Sequence, residues 1–241
     1  MRPFRGWRLR WGPVGTPDDH AKATGAPFAR PVNHGVGPWE GDWPQDERLD
    51  PQLLREGDRR NVEDRYRYWS HDAITADLAT RRHDFHVAIE NWEHDFNIGS
   101  VVRTANALGA AAFHVVGKRR WNRRGAMVTD RYQVEHHHPD VASFLAWAST
   151  AGEGGTPLPV IGIDNVPGSV PIETHDLPRG CVLVLGQEGP GISPQMLAAC
   201  DVVLAISQFG STRSMNAGAA AAIAMHAWVR RHTFGQVPGE G

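Results

Sequence analysis

The chain of 241 residues has only two cysteines, Cys181 and Cys200. Two thiols cannot build the disulfide framework of a small secreted fold. Both sit in or beside apolar runs, Cys181-Val-Leu-Val-Leu and Cys200-Asp-Val-Val-Leu, where a buried free thiol in a reducing cytoplasm is expected. Long apolar runs are also lacking. None approaches the ~20 residues needed to cross a bilayer, and the charged opening Met1-Arg-Pro-Phe-Arg-Gly-Trp-Arg8 leads into no apolar stretch, which argues against a secretory signal. Charge of one sign is scarce too: 25 Lys and Arg stand against 27 Asp and Glu, a formal net charge of −2. A nucleic-acid partner must therefore be met by a local basic patch, with no help from the overall balance. The hydrophobic fraction, 41%, is slightly low for a globular chain, and the deficit lies at the N-terminus.

Residues 1 to about 60 are rich in Pro, Gly, Asp, Arg and Trp and show no helical or strand period, so an irregular or disordered extension is expected there. Its tryptophans, Trp7, Trp11, Trp39 and Trp43, can dock on the protein's own surface or stack on bases. A helical linker over about 61–84 follows, with Ile74 and Leu78 beside Trp69 and Ala73 on one apolar side. From Phe85 to about residue 235 the pattern alternates. Strands are predicted at Phe85–Glu90, Ala112–Val116, Val160–Ile163, Val182–Leu185 and Val202–Ile206. Helices are predicted at Ile98–Leu108 (ended by Gly109), Val141–Ser149, Ser193–Ala199 with Pro194 at its first position, and about Ser214–Arg231. Short, continuously apolar strands separated by helices imply an α/β domain with a parallel sheet covered on both faces.

In such sheets ligands bind beyond the carboxyl ends of strands. Two strand ends carry suggestive loops. Leu185-Gly-Gln-Glu-Gly-Pro-Gly-Ile-Ser193 is glycine-rich, with Glu188 as its one charge. It lacks the Lys-Ser/Thr of a P-loop and the G-x-G-x-x-G spacing, so it is either a ligand loop of another kind or a plain turn. Ile206-Ser-Gln-Phe-Gly-Ser-Thr-Arg-Ser214, followed by Met215-Asn216, gathers hydroxyls, an amide and an arginine at a helix N-terminus; Ser214 is also a candidate cap. A third segment, Asn97-Ile-Gly-Ser-Val-Val-Arg103, opens a helix and places an arginine under two turns on, able to pair with a phosphate or with a carboxylate of its own protein.

Together these segments resemble the SpoU (TrmH-type) family of SPOUT methyltransferases, which methylate ribose 2′-hydroxyls of transfer or ribosomal RNA. Asn97 and Arg103 match its first motif, Gly186-x-Glu188-x-x-Gly191 its second, and Ile206, Gly210, Ser214 and Asn216 its third, in order along Phe85–Arg231. The chain departs from the family where Ser207 replaces a proline, Gln208 a methionine and Gly218 a serine. The resemblance implies a C-terminal trefoil knot, which periodicity cannot show and base rates for chain topology oppose. It also implies a homodimer, to which the small-residue face Ala217–Ala222 offers close helix packing, as it does to packing within one subunit.

S-adenosylmethionine is the cofactor the resemblance implies, held by backbone groups around Leu185, Gly186, Ile206 and Met215. Arg103 is the expected catalytic residue, clamping the phosphate beside the target ribose and stabilising developing oxyanion character. Asn97 and Ser214 are candidates to orient the hydroxyl or Arg103, Asn216 to support the loop, and Glu188 to pair with a cation or fix the loop backbone. RNA needs a basic surface. Lys118-Arg119-Arg120-Trp121-Asn-Arg123-Arg124 supplies five cations around one aromatic, suited to phosphate contacts and base stacking on Trp121; an exposed loop with Trp121 tucked into the core is the competing expectation. His136-His-His138 is not expected to bind metal, since neighbours on a strand point to opposite faces and no Cys lies nearby. A silent RNA-binding protein on the same scaffold is the alternative from another class. A Rossmann-like nucleotide enzyme is disfavoured, because Asn91-Trp-Glu-His after the first strand has no glycine turn.

Overall fold

The computed structural model describes residues 35–90, 95–118, 121, 129–187 and 189–238. The chain divides into two compact units between Tyr68 and Trp69. In the first, over residues 35–68, helix α1 (Pro51–Glu56) forms where no periodicity announces one, because its ends carry strong local signals. Asp50 accepts the amide hydrogens of Gln52 and Leu53, proline fills the first turn, and Leu54 supplies the buried contact. Val36 pairs with Asp58 in an antiparallel bridge. Burial alone would raise the Asp58 carboxyl. The Arg60 guanidinium at 2.7 Å and the amides of Arg60 and Tyr68 outweigh that and hold it below its ordinary value. Trp39 meets Tyr68 edge-on and donates to the Asp42 carbonyl, so this indole docks on its own unit.

The second unit opens with α2 (His71–Ala79), capped by Ser70 and anchored by Ile74. It is shorter than the predicted linker helix, since Asp64–Tyr66 form a 3₁₀ turn instead. Seven strands follow: β1 (Phe85–Glu90), β2 (Phe113–Val116), β3 (Glu135–His138), β4 (Val160–Ile163), β5 (Val170–Pro171), β6 (Cys181–Leu185) and β7 (Val202–Ala205). Every pairing is parallel, in the order β3-β2-β1-β6-β4-β7-β5. The expected parallel α/β sheet is therefore present, with two strands that the apolar runs did not reveal: β3, made of glutamate and histidines, and the two-residue β5.

The continuous apolar runs are explained by the two covered faces. Val87 and Ile89 of β1, with Leu183 and Leu185 of β6, pack under α3 (Asp95–Ala107) and α6 (Ala217–His232), against Ile98, Val101, Met225 and Trp228. Ala88, Val182 and Val184 point the other way, to Val141, Phe144 and Met196 of α4 (Val141–Ala148) and α5 (Pro194–Leu197). Asp140 and Ser193 cap α4 and α5. Gly109, at φ +68, turns the chain after α3, a conformation that L side chains rarely adopt.

The cap of α6 differs from expectation. Asn216, whose side chain accepts the Ala219 amide hydrogen, begins the helix, so Ser214 is not its cap. The small-residue face is used inside the chain: Gly218, Ala221 and Ala224 are buried in the core shared with α3. Close packing there needs no second subunit.

Candidate functional site

The carboxyl ends of β4, β6 and β7 enclose a pocket of about 390 Å³, within the size range of small-molecule sites. After β6 the chain crosses itself closely. A Cβ at Gly186 would overlap the backbone of Gly191 and Ile192, so only glycine fits this crossing. Gln187 and Gly191 then exchange both backbone hydrogen bonds, at 3.1 and 2.9 Å, pinching the loop shut. Two carboxylates at strand ends hold its outgoing limb. Asp164, after β4, accepts the Ile192 amide hydrogen at 2.8 Å, and the buried Glu90, ending β1, accepts that of Ser193 at 2.9 Å.

The segment after β7 forms the opposite wall. Ile206, Gln208, Ser214, Met215 and Asn216 all line the pocket. Ser207 donates its amide hydrogen and its hydroxyl to Glu173, at 3.0 and 2.9 Å. A proline here would fix φ and offer neither bond; the serine instead ties the segment to the 3₁₀ turn Ile172–Thr174. Asn165 donates to the Arg213 carbonyl at 3.2 Å, spanning the same mouth.

Asn216 also joins this wall to α3, donating to the Asn97 side chain at 3.2 Å. Gly218 leaves room for that pair, since a Cβ there would press on Asn216 Oδ1 at 3.2 Å and stand 3.5 Å from Ser100. The first and third motifs thus meet through two asparagines. The four residues expected to hold a donor (Leu185, Gly186, Ile206 and Met215) line one pocket with Ser214 and Asn216, brought together from the loops after β6 and β7. Asn97 stands behind it at the start of α3, and Arg103 lies on the exposed side of that helix without lining the pocket. Glu188, Arg119, Arg120, Arg123 and Arg124 lie outside the described residues.

Trp121 requires a correction. It is only 8% exposed and joins the main core, 6.5 Å from the Phe113 ring. A base cannot stack on a ring already covered by protein. Asp164, Asn165, Gln187 and Glu173 were not singled out from the sequence, since a lone polar residue at a strand end has no spacing to mark it.

A second polar cluster lies under α4. His86 Nδ1 is 3.0 Å from His114 Nε2, and His114 Nδ1 is 2.9 Å from His138 Nε2, with Trp147 against all three rings. Burial pushes all three imidazoles down, His86 to about 4 and His114 well below its ordinary value. They are neutral, internally bonded groups, and no metal-binding group of His, Cys, Asp or Glu occurs among the described residues. Burial also raises the thiols, Cys181 to about 12 and Cys200 to about 11, which leaves both unreactive. Among the described residues no helix is long and apolar enough to cross a membrane.

Residues 84–226, more than half of the chain, match the SpoU rRNA Methylase family. The chain belongs to this family. It is 28% identical over 151 residues to the 23S rRNA (uridine(2479)-2′-O)-methyltransferase of Streptomyces viridochromogenes, covering 58% of this chain and 50% of that protein. It is also 28% identical over 152 residues to the tRNA (guanosine(18)-2′-O)-methyltransferase of Escherichia coli K12, covering 62% and 64%. The match thus spans about half to just under two thirds of these relatives. Among solved structures, the SpoU methyltransferase AviRb from S. viridochromogenes, in complex with the cofactor AdoMet, superposes with a TM-score of 0.59 at 27% identity, over 66% of this chain and 62% of that one. The A. aeolicus TrmH/SpoU tRNA modifying enzyme, at 21% identity and a TM-score of 0.59 over 71% and 88%, shares the fold. The SpoU domain of this chain is therefore the sheet and helices whose strand ends build the pocket.

Proposed function

We propose that this chain transfers a methyl group from S-adenosylmethionine to a ribose 2′-hydroxyl of ribosomal or transfer RNA. One observation carries the reading: three segments separated in sequence, following β4 at Asp164, β6 at Gly186 and β7 at Ile206 to Asn216, converge on one pocket at the carboxyl end of a parallel sheet. Support comes from relatives named as 2′-O-methyltransferases of both RNA classes, and from the AdoMet complex of AviRb.

The pocket suits such a donor chemically. Its walls combine apolar side chains (Ile163, Leu185, Ile206, Ala220) for a flat base with neutral amides and exposed backbone for polar edges. When bound, the donor supplies a methyl on a sulfonium, whose sulfur leaves without acid assistance. The chain's own task is placement, holding the ribose oxygen in line at about 3 Å. Leu185, Gly186, Ile206 and Met215 offer the donor backbone and walls. Asn97, bonded to Asn216, and Ser214 at the mouth orient the reacting hydroxyl. Arg103 holds the adjoining phosphate and offsets charge building on the oxygen. A guanidinium is a donor-only group, so it does not take the 2′-proton. Glu188 supports the glycine loop, and Arg119, Arg120, Arg123 and Arg124 contact RNA phosphates, without base stacking on Trp121. The same reading carries a cytoplasmic homodimer with a knotted C-terminal topology. Ile223 and Phe234, 41% and 57% exposed, are apolar positions that a second copy would cover.

The test incubates the full chain with methyl-labelled donor and total ribosomal or transfer RNA, then digests the RNA to nucleosides. Label in a 2′-O-methylnucleoside is expected. Label in a base, or donor binding without transfer to any RNA, contradicts the reading, the latter in favour of a silent RNA-binding protein. Arg103→Ala should lower transfer by about 10³-fold or more while donor affinity stays within about twofold. Near-normal turnover would remove Arg103 from the mechanism.

A further inference from the structure

The described residues lining the pocket include one charged side chain, Asp164; the others are apolar or neutral polar. The backbone around Asp164 is fixed, because its amide hydrogen bonds to the Leu204 carbonyl of the neighbouring strand at 3.0 Å. Its Oδ1 accepts from the Asn165 amide at 2.7 Å and its Oδ2 from the Ile192 amide at 2.8 Å. A Cβ at Gly191 would collide with Oδ2, so the glycine loop is shaped to leave this carboxylate its place. Both partners are neutral backbone groups. A carboxylate has about four lone-pair sites, so two amide bonds leave acceptor capacity and do not cancel its charge. Among the described lining residues the one fixed charge is thus negative, which favours a cationic occupant.

We propose that Asp164 recognises the positive charge at the sulfur of the methyl donor, and so discriminates the sulfonium from the thioether left after transfer; this rests on the methyl-transfer reading above. Transfer breaks the carbon–sulfur bond, forms a carbon–oxygen bond, leaves the electron pair on sulfur and releases the hydroxyl proton to solvent water. The product sulfur is neutral, while the ammonium, carboxylate, ribose and adenine are unchanged. Any group that responds to sulfur charge therefore separates donor from product, whereas groups gripping the shared parts cannot. Asp164 thereby eases product release as well as donor capture.

The experiment is calorimetric titration of the full chain with S-adenosylmethionine, S-adenosylhomocysteine and sinefungin, whose amine places a cation where the sulfonium sits. For a charge pair across a partly exposed pocket, Asp164→Asn should weaken the two cationic ligands about tenfold and S-adenosylhomocysteine by no more than about twofold. Equal losses for all three, or no loss for any, would overturn the assignment. Independently of any variant, raising salt on the wild-type chain should weaken S-adenosylmethionine more than S-adenosylhomocysteine, because screening acts on the charge difference. Parallel salt responses would also overturn it, even if the variant fails to fold. Should the wild-type chain bind none of the three, the donor-pocket reading itself fails. That result is distinct from a wild-type chain that binds all three and an Asn variant that loses them evenly.

Discussion

The SpoU domain contains two polar constructions on one parallel sheet, and they are built in opposite ways. Under α4 the chain His86–His114–His138 uses both ring nitrogens of its central member, and Trp147 and Phe144 cover it. At the ends of β4, β6 and β7, glycines bring backbones together, and side chains such as Asn216 and Asp164 are bonded yet still face a cavity. The contrast separates polar residues that satisfy the interior from those that serve a ligand. Three clustered histidines look more like chemistry than two asparagines do, but the central imidazole, His114, has both ring nitrogens engaged and lies covered by protein.

The largest effect should come at the crossing of the glycine loop. Gly186→Ala forces a Cβ into the backbone of Gly191 and Ile192, which cannot yield as a flexible side chain would. We expect a loss of about 3 kcal/mol or more in unfolding free energy, together with loss of donor binding. A variant of normal stability and affinity would show that the crossing is looser than described.

The imidazole chain should respond to pH and not to ligand. Its folded-state proton affinities lie below the ordinary value near 6.5, so the unfolded chain takes up protons first as pH falls. Stability should be level above about pH 6.5 and decline between there and pH 4, by up to about 1.4 kcal/mol per pH unit for each imidazole. Urea melts across that window measure it, and His86→Leu should flatten the slope. A stability that rose on acidification would mean the rings are charged in the fold.

The smallest effect concerns the asparagine pair. Asn216→Ala should cost about 1 kcal/mol as a lost helix cap. A double-mutant cycle with Asn97→Ala should show a coupling of about 0.5–1 kcal/mol. Strict additivity would mean that the bond between α3 and α6 contributes nothing.

These contrasts also show what the sequence could reveal. The strands β2, β4 and β6 announce themselves because both of their faces are buried, so Val160-Ile-Gly-Ile or Cys181-Val-Leu-Val-Leu has no polar interruption, and β1 and the half-buried β7 are nearly as apolar. β3 does not, because it is an edge strand with His136 and His137 exposed, and its one buried position is filled by His138, whose polarity reads as loop until its imidazole partner His114 on β2 is known. α1 is similarly hidden, being a single short helix set by its cap and proline instead of an apolar stripe. At the site, the residues to which the family resemblance points, Gly186, Ile206, Met215 and Asn216, line one pocket. Ser214 was misplaced as a cap, since serine and asparagine serve equally well there and only the backbone decides. Trp121 looked like an RNA platform among arginines because sequence shows the charges beside a ring and not the protein that covers it. Asp164 and Glu173 were silent, their partners being a backbone amide in the glycine loop and a serine 34 residues away.

The most direct test is backbone hydrogen exchange with and without S-adenosylmethionine. Protection should appear together at residues 186–192 and 206–216, with none added at 135–148. Protection confined to the histidine-bearing segment, or an unchanged exchange pattern at both loops with donor bound, would contradict a pocket shared by the three strand ends.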